Sequence, residues 1–500
     1  MKHIYNYKRH FLKSLAALII INGMIALPGC SKGFLNPDKQ GAIPAVQLWK
    51  TPTDATNAVN AIYGNIRSWN NVGFAAISVE SLGSDDASKG STSSDAPTLN
   101  QYDNFSITPT EVQLDGFWSG QYQNINLCNQ VLDSIVNIQM DANLKNRYYA
   151  EAKFVRAYSY FRLLRAFGNI PLLLHVPHTP VELNPAQASK ATVYAAIEQD
   201  LTDAAGVLPV SYGPADIGRA TKGAALALHA KCAMYQQKWS DVLNYTNQVM
   251  GLGYSLFPNY YQLFRIANEN NSESIFEIQA SFVAGNPALS NCQYSQPQGN
   301  KDAGAGWGFN VPTQDLVNEY EAGDPRLQGT VMIAGTTTPS GDVVPAPSSG
   351  APSMYNMKAY VPFAIALATN QGADQNFRVI RYAEVLLMNA EANNESGNNA
   401  AALASLEMVR ARARTNSANP ATTLPAVTTT DQGTLRTAIW HERRVELAME
   451  NDRYFDLIRQ NRAGTVLKAL GWTANKNEVW PIPQTEIDIS GGVLIQNKGY

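Results

Sequence analysis

Apolar side chains recur at every third or fourth position through most of this chain. A stripe with that period is buried as one face of an α-helix, so the pattern commits the chain to a mostly helical fold. The first stripe runs Ala55, Val59, Ile62, Ile66 and Trp69. Thr51 as N-cap, Pro52 at the first helical position and Asp54 in the first turn mark its start. A second stripe holds Trp118, Tyr122, Ile125, Cys128, Leu132 and Ile135. A third holds Phe154, Tyr158, Phe161 and Leu164, stopped by Gly168 and Pro171. A fourth holds Tyr194, Ile197, Leu201, Ala204 and Leu208, ending at Pro209.

Two later stretches read as helix–turn–helix units. Ala224, Leu228, Cys232 and Tyr235 lead to a turn over 236–239, then Val242, Tyr245 and Val249 up to Gly251. Ala383, Leu386 and Ala390 lead to the turn Glu395-Ser396-Gly397, then Ala402, Leu406, Val409 and Ala413. Small residues where helices cross, with a bulky aromatic near the turn, make these units tetratricopeptide-like. Such pairs bury each other's stripes and stack into a scaffold. Between the helices lie long polar stretches at 70–110, 280–312, 334–352 and 415–432. Stretches this long inside a compact domain are functional or disordered. The first two carry aromatics and are the better candidates for a binding surface; the third reads as a flexible hairpin or surface arm.

The N-terminus says where the scaffold goes. Lys2, Lys8, Arg9 and Lys13 form a basic segment, and an apolar run from Leu15 to Leu27 follows, broken only by Asn22 and Gly23. It is too short and interrupted for a permanent membrane span and reads as a signal peptide over 1–29. Leu27-Pro28-Gly29-Cys30 resembles a lipobox, which makes Cys30 the expected lipidation site. Two or three acyl chains hold a protein on a membrane far more firmly than one. Residues 30–47 read as the lipidated N-terminus and tether. Residues 48–500 read as one helical binding unit, with an N-terminal part over 48–280 and a C-terminal part over 281–500. Loss of the four basic leader residues takes the formal charge from −3 to −7, which argues against nucleic acid as a partner. Charged residues are only 16% of the chain, and a surface rich in amides, hydroxyls and tyrosine suits neutral ligands such as sugars. After Cys30 only Cys128, Cys232 and Cys292 remain, an odd and widely spaced set that is no disulfide framework. Cys128 and Cys232 fall on apolar stripes and read as buried small residues.

Several ordered motifs together resemble the SusD/RagB family of outer-membrane nutrient-binding lipoproteins. They are Phe34-Leu35-Asn36 after Cys30, Glu151-Ala152-Lys153-Phe154-Val155-Arg156-Ala157-Tyr158, and Arg165-Ala166-Phe167-Gly168-Asn169-Ile170-Pro171. They continue with Asp324-Pro325-Arg326, Arg381-Tyr382-Ala383-Glu384, His441-Glu442-Arg443-Arg444-Val445-Glu446-Leu447, Arg453-Tyr454-Phe455-Asp456 and the closing Trp480-Pro481-Ile482-Pro483. The resemblance implies about four tetratricopeptide-like helix pairs, with irregular loops and minor β-hairpins carrying the ligand surface. It also implies an outer-membrane, lipid-anchored location facing the exterior, and a SusC-like TonB-dependent transporter as partner. A captured glycan or peptide would be handed to that transporter, with no chemistry; no cofactor is expected.

Aromatic platforms flanked by amides, carboxylates or guanidinium groups are what a sugar site needs. The first loop offers Trp69 and Asn70 at its edge, then Asp85, Asp86, Tyr102 and Asn104. The second offers Asn291, Tyr294, Gln296, Asn300, Trp307 and Asn310. The expected ligand residues are Trp307, Tyr102, Tyr294, Trp69, Asn70, Asp85, Asp86 and Asn310. For Trp307 the other reading is packing under its own loop; for Trp69 it is the helix's apolar stripe. Asp85-Asp86 could form a glycosidase pair or a calcium ligand set, although adjacent acids seldom reach the opposed geometry that glycosidases need; a solvated or capping turn is the blander reading. His175 and His178 lack a third ligand nearby for zinc. The Glu442, Arg443, Arg444, Glu446 and Arg453 cluster has the spacing of structural ion pairs. Two rival functions stay open at this point: a lipid-anchored glycoside hydrolase, and a tetratricopeptide-like envelope scaffold that binds protein or peptide.

Overall fold

The structure is a computed structural model and describes residues 49–286, 290 and 293–500. The expected signal peptide, the lipidation site Cys30, the tether, Asn291 and Cys292 lie outside the described residues. Residues Thr51–Tyr500 form one compact unit.

Helix α1 (Pro52–Ile66) begins as its sequence dictates. Thr51 Oγ1 accepts the Asp54 N–H at 3.2 Å, and the Asp54 carboxylate accepts the Thr51 N–H at 2.8 Å. Ala55, Val59, Ile62 and Ile66 are its buried face. Helices α2 (Val112–Ser134), α3 (Ala142–Phe167) and α4 (Lys190–Val207) follow the next three stripes. Gly168, at φ +78, ends α3 in a conformation that favours glycine. The two helix–turn–helix units are α5 (Lys222–Tyr235) with α6 (Trp239–Met250), and α7 (Tyr382–Glu395) with α8 (Asn399–Thr415). Helix α9 (Gln432–Leu447) and the short α10 (Arg453–Arg459) complete the frame. Each helix packs on its successor: α2 on α3, α3 on α4, α4 on α5, α5 on α6, α6 on α7, and α7 on both α8 and α9. This is the stacked, mostly α scaffold that the periodicity predicts. Cys128 and Cys232 are buried free thiols within it.

Three two-stranded antiparallel ribbons tie distant loops together. Strand β1 (Ala87–Gly90) pairs with β3 (Phe309–Pro312), β2 (Ser274–Ile278) with β6 (Phe377–Arg381), and β4 (Val331–Ile333) with β5 (Met354–Asn356). The first part of the 70–110 stretch is therefore no exposed loop, whereas 93–98 stays largely at the surface. Residues 75–87 are buried without interruption and enter β1 from a short helical run. The 334–352 arm is also pinned. Thr337 bridges to Val343, Val344 is buried, and Asp342 accepts the Phe363 N–H at 2.7 Å.

The charges of the sequence motifs form a buried ionic seam. Glu446 on α9 meets Arg412 at 2.5 Å, Arg381 at 3.1 Å and Arg326 at 3.1 Å. Glu442 meets Arg326 at 2.5 Å and Arg410 at 3.0 Å. Arg443 joins Asp456 at 2.7 Å and Glu384 at 3.0 Å. The reading of structural pairing holds, and the partners come from other elements packed against α9. In spite of its burial, Glu446 is held far below the usual carboxylate range by the surrounding Arg412, Arg381 and Arg326.

Candidate functional site

Helix α1 stops one turn earlier than its stripe suggests. Asn71 Nδ2 donates to the Asn65 carbonyl at 2.9 Å and to Ser68 Oγ at 3.0 Å, which closes a turn after Ile66. Trp69 therefore opens a separate short helix (Trp69–Val72) instead of continuing the buried face, and it stays half-buried. Its indole meets Phe74 at 5.3 Å and Trp307 at 5.6 Å between ring centroids. Phe74 also contacts Trp307 at 5.6 Å and stands edge-on to Phe309 at 4.7 Å. The result is a platform of two half-buried tryptophans braced by two phenylalanines.

The loop that presents Trp307 is tightly folded. Trp307 donates its backbone N–H to the Gln296 carbonyl at 3.1 Å, and Gly308 donates to the Gly299 carbonyl at 2.9 Å. A Cβ at Gly299 would lie 2.2 Å from the Ala305 carbonyl oxygen, and one at Gly306 2.4 Å from the Gly299 Cα, so the doubled-back strands need glycine at both places. The indole N–H of Trp307 donates to Gln371 Oε1 at 2.8 Å, and Gln371 Nε2 donates to the Gly304 carbonyl at 3.2 Å. Arg67 donates to Ser281 Oγ at 2.9 Å beside this wall, and burial lowers its pKa. Ring faces carry negative quadrupole density and attract weakly positive C–H groups, while the amide, hydroxyl and guanidinium groups offer directional hydrogen bonds. The arrangement is a shallow stacking surface with polar edges.

Other expected ligand residues are placed differently. Tyr102 is fully buried, gives its hydroxyl proton to Glu111 at 2.7 Å and packs on Trp480. Tyr294 is buried against Phe377 at 4.9 Å. Asn310 is fully buried, accepts from Ser81 Oγ at 2.8 Å and donates to Gln298 at 2.8 Å. Asp85 and Asp86 are 7% and 2% exposed, and neither forms a solvated turn. Arg453 grips Asp85 at 2.7 Å, while Arg444 reaches Asp85 at 2.9 Å and Asp86 at 2.8 Å. Burial alone would raise the Asp85 pKa, but the Arg453 and Arg444 contacts more than reverse this; for Asp86 burial prevails and its pKa is raised. Each of these five residues has exchanged solvent for a protein partner. Among the eight, only Trp69, Asn70 and Trp307 are left half-buried at this edge, with Asn70 turned toward Gly116 and Gly120 of α2. His175 Nδ1 sits 2.9 Å from Asp133, and among the described residues no group of three or more His, Cys, Asp or Glu could hold a metal ion.

Against this geometry, a family described as the SusD family matches residues 272–500. A second, described as "Starch-binding associating with outer membrane", matches 44–234. A solved "Laminarin binding SusD-like protein" is 31% identical, with a TM-score of 0.77 over 90% of this chain and 100% of that one. The chain belongs to the SusD family. A curated SusD-like protein of Formosa agariphila is 27% identical across 95% of this chain and 98% of its own length. Surface glycan-binding protein A of Bacteroides thetaiotaomicron, solved with laminarihexaose, shares the fold at 23% identity and a TM-score of 0.73, covering 89% of this chain and 99% of its own. The family's scaffold is the helical stack described above. Phe74 and Gln371 escape a sequence reading of this SusD-family chain. Phe74 lies five residues after Trp69, a spacing with no helical meaning across the Gly73 break, and Gln371 meets Trp307 only through the tertiary fold.

Proposed function

We propose that this chain is a lipid-anchored, outward-facing outer-membrane protein that binds oligosaccharides and passes them to a SusC-like TonB-dependent transporter. The braced Trp69–Trp307 platform carries this reading. Two indoles with ring centroids 5.6 Å apart and tilted by 52° form a curved stacking surface, which suits a twisted chain of pyranose rings. The laminarin-binding relative makes β-linked glucans the first ligand class to try. With Asp85 and Asp86 locked to arginines, the adjacent-acid pair offers no acid and nucleophile for hydrolysis.

Calorimetric titration of the mature chain with laminarihexaose, followed by analysis of the mixture for shorter sugars, tests both halves of the reading. Saturable binding without product is the expected outcome. Product release would establish a hydrolase, and absence of binding across laminarin, starch and mannan would overturn the glycan reading. Radiolabelled palmitate should enter the wild-type chain and not Cys30→Ser, and the lipidated protein should co-purify with a transporter barrel from outer membranes.

A further inference from the structure

Beyond the platform, the same unit has a cleft of about 340 Å³ between the 211–219 loop and the residues leading into β2. We infer that this cleft is a second saccharide site that takes a neutral, disaccharide-sized unit. The inference rests on the glycan-binding reading of the chain.

The walls supply both kinds of contact that a sugar requires. Tyr212 and Tyr254 are half-buried and line the cleft with their rings, while the amides of Asn270 and Asn271 and the exposed hydroxyl of Ser272 sit opposite. The volume falls at the lower end of the roughly 300–1,000 Å³ range of small-ligand sites.

Charge defines the class of ligand. Arg219 and Glu277 both reach the cleft, but each is neutralised from within the protein. Arg219 pairs with Asp216 at 2.7 Å and Glu151 at 2.9 Å, and donates to Asn60 at 2.7 Å. Glu277 accepts from the Asn270 N–H at 3.1 Å and Asn376 Nδ2 at 2.9 Å, and lies 3.5 Å from Arg378. An ionic ligand would find no unmatched counter-charge in either group, whereas sugar hydroxyls meet the exposed Ser272 hydroxyl and the amides of Asn270 and Asn271, which Gln279, the Asn268 carbonyl and the Glu273 N–H hold in place.

The location links the cleft to the platform. Gly218, at φ +93, presses its turn against Gln279, where a Cβ would meet the side chain at 2.4 Å. Beyond that ridge is a smaller cleft of about 240 Å³ lined by Asn60, Tyr63, Arg67 and Gln279. Arg67 is two residues from Trp69 and bonds Ser281 at 2.9 Å. The smaller cleft thus runs from the walls it shares with the second site, Gly218 and Glu277, to Arg67 at the end of α1.

Saturation-transfer NMR with laminaribiose, maltose, cellobiose and mannobiose on the mature chain tests the inference. Trp307→Ala removes the platform; Ser272→Trp fills the cleft from an exposed position without deleting a side-chain contact; Tyr212→Ala removes one wall. At least one disaccharide should retain its signal on Trp307→Ala and lose it, by about fivefold or more, when Ser272→Trp is added. Tyr212→Ala should act in the same direction, with unchanged circular dichroism as the folding check. Signal that vanishes with Trp307→Ala alone overturns the second site, as does retained signal that neither cleft variant alters, or no signal from any of the four sugars. Wild-type signal that is indifferent to Trp307→Ala but abolished by Ser272→Trp would instead support the cleft and remove the platform.

Discussion

The ionic seam around α9 and the aromatic platform at Trp307 use opposite physics. In the seam, Arg326, Arg381, Glu442 and Glu446 are almost fully withdrawn from water and each charge has at least two partners. At the platform, Trp69 and Trp307 are left half-buried and their neighbours are rings, amides and backbone. The charged motifs thus hold the frame, while the aromatic edge is left to meet a ligand. A buried pair gains nothing over a well-packed apolar pair, yet losing one partner strands the other, so the seam is intolerant of single changes.

The contrast can be broken most forcefully at its centre. Glu446→Ala strands Arg326, Arg381 and Arg412 and should cost about 3–5 kcal/mol in chemical denaturation. A loss under about 1 kcal/mol would mean that the seam is solvated and that the two regions do not differ in kind.

Acidity gives the next test, at a carboxyl outside the seam. Burial pushes Asp103, behind β1, up to about 7, against the lowering effect of the Lys89 N–H and charge. Because the folded pKa exceeds the unfolded one, the protonated form is favoured in the fold, and stability is lost as pH rises from about 4 through about 7. Asp103→Asn should therefore match the wild type near pH 4 and exceed it by about 2–3 kcal/mol at pH 8. Laminarihexaose affinity should meanwhile stay flat across that window, because the platform presents rings and amides; an affinity that tracks the stability slope would show that Asp103 is coupled to the platform through the β1–β3 ribbon.

Smaller effects sharpen the platform itself. Trp307→Ala should weaken laminarihexaose binding about tenfold, or ~1.4 kcal/mol, with little change in melting temperature. Gln371→Ala frees the indole N–H and should cost about two- to threefold in affinity, measured by the same titration. If Gln371→Ala costs as much as Trp307→Ala, the amide contacts ligand directly rather than bracing the ring.

Local chemistry decided what was legible in the sequence. The capping box at Thr51, the stop at Gly168, the paired stripes of α5–α6 and α7–α8, and the burial of Cys128 and Cys232 all follow from interactions within a few residues. The stripe through Trp69 misled, because the Asn71–Ser68 bonds that end α1 compete with the helix only once the loop is folded. Asp85, Asp86, Tyr102 and Asn310 read as loop residues with ligand-binding side chains; each was claimed instead by a partner elsewhere in the chain or by the core. A polar loop residue is solvated or desolvated according to which distant groups arrive beside it, and no local period encodes that. The sequence by itself thus determined the helices, their pairing and the identity of the charged seam. Only the tertiary structure decided which aromatics meet, because the Trp69–Phe74 segment, Trp307 and Gln371 come from distant parts of the chain and touch only in the folded unit.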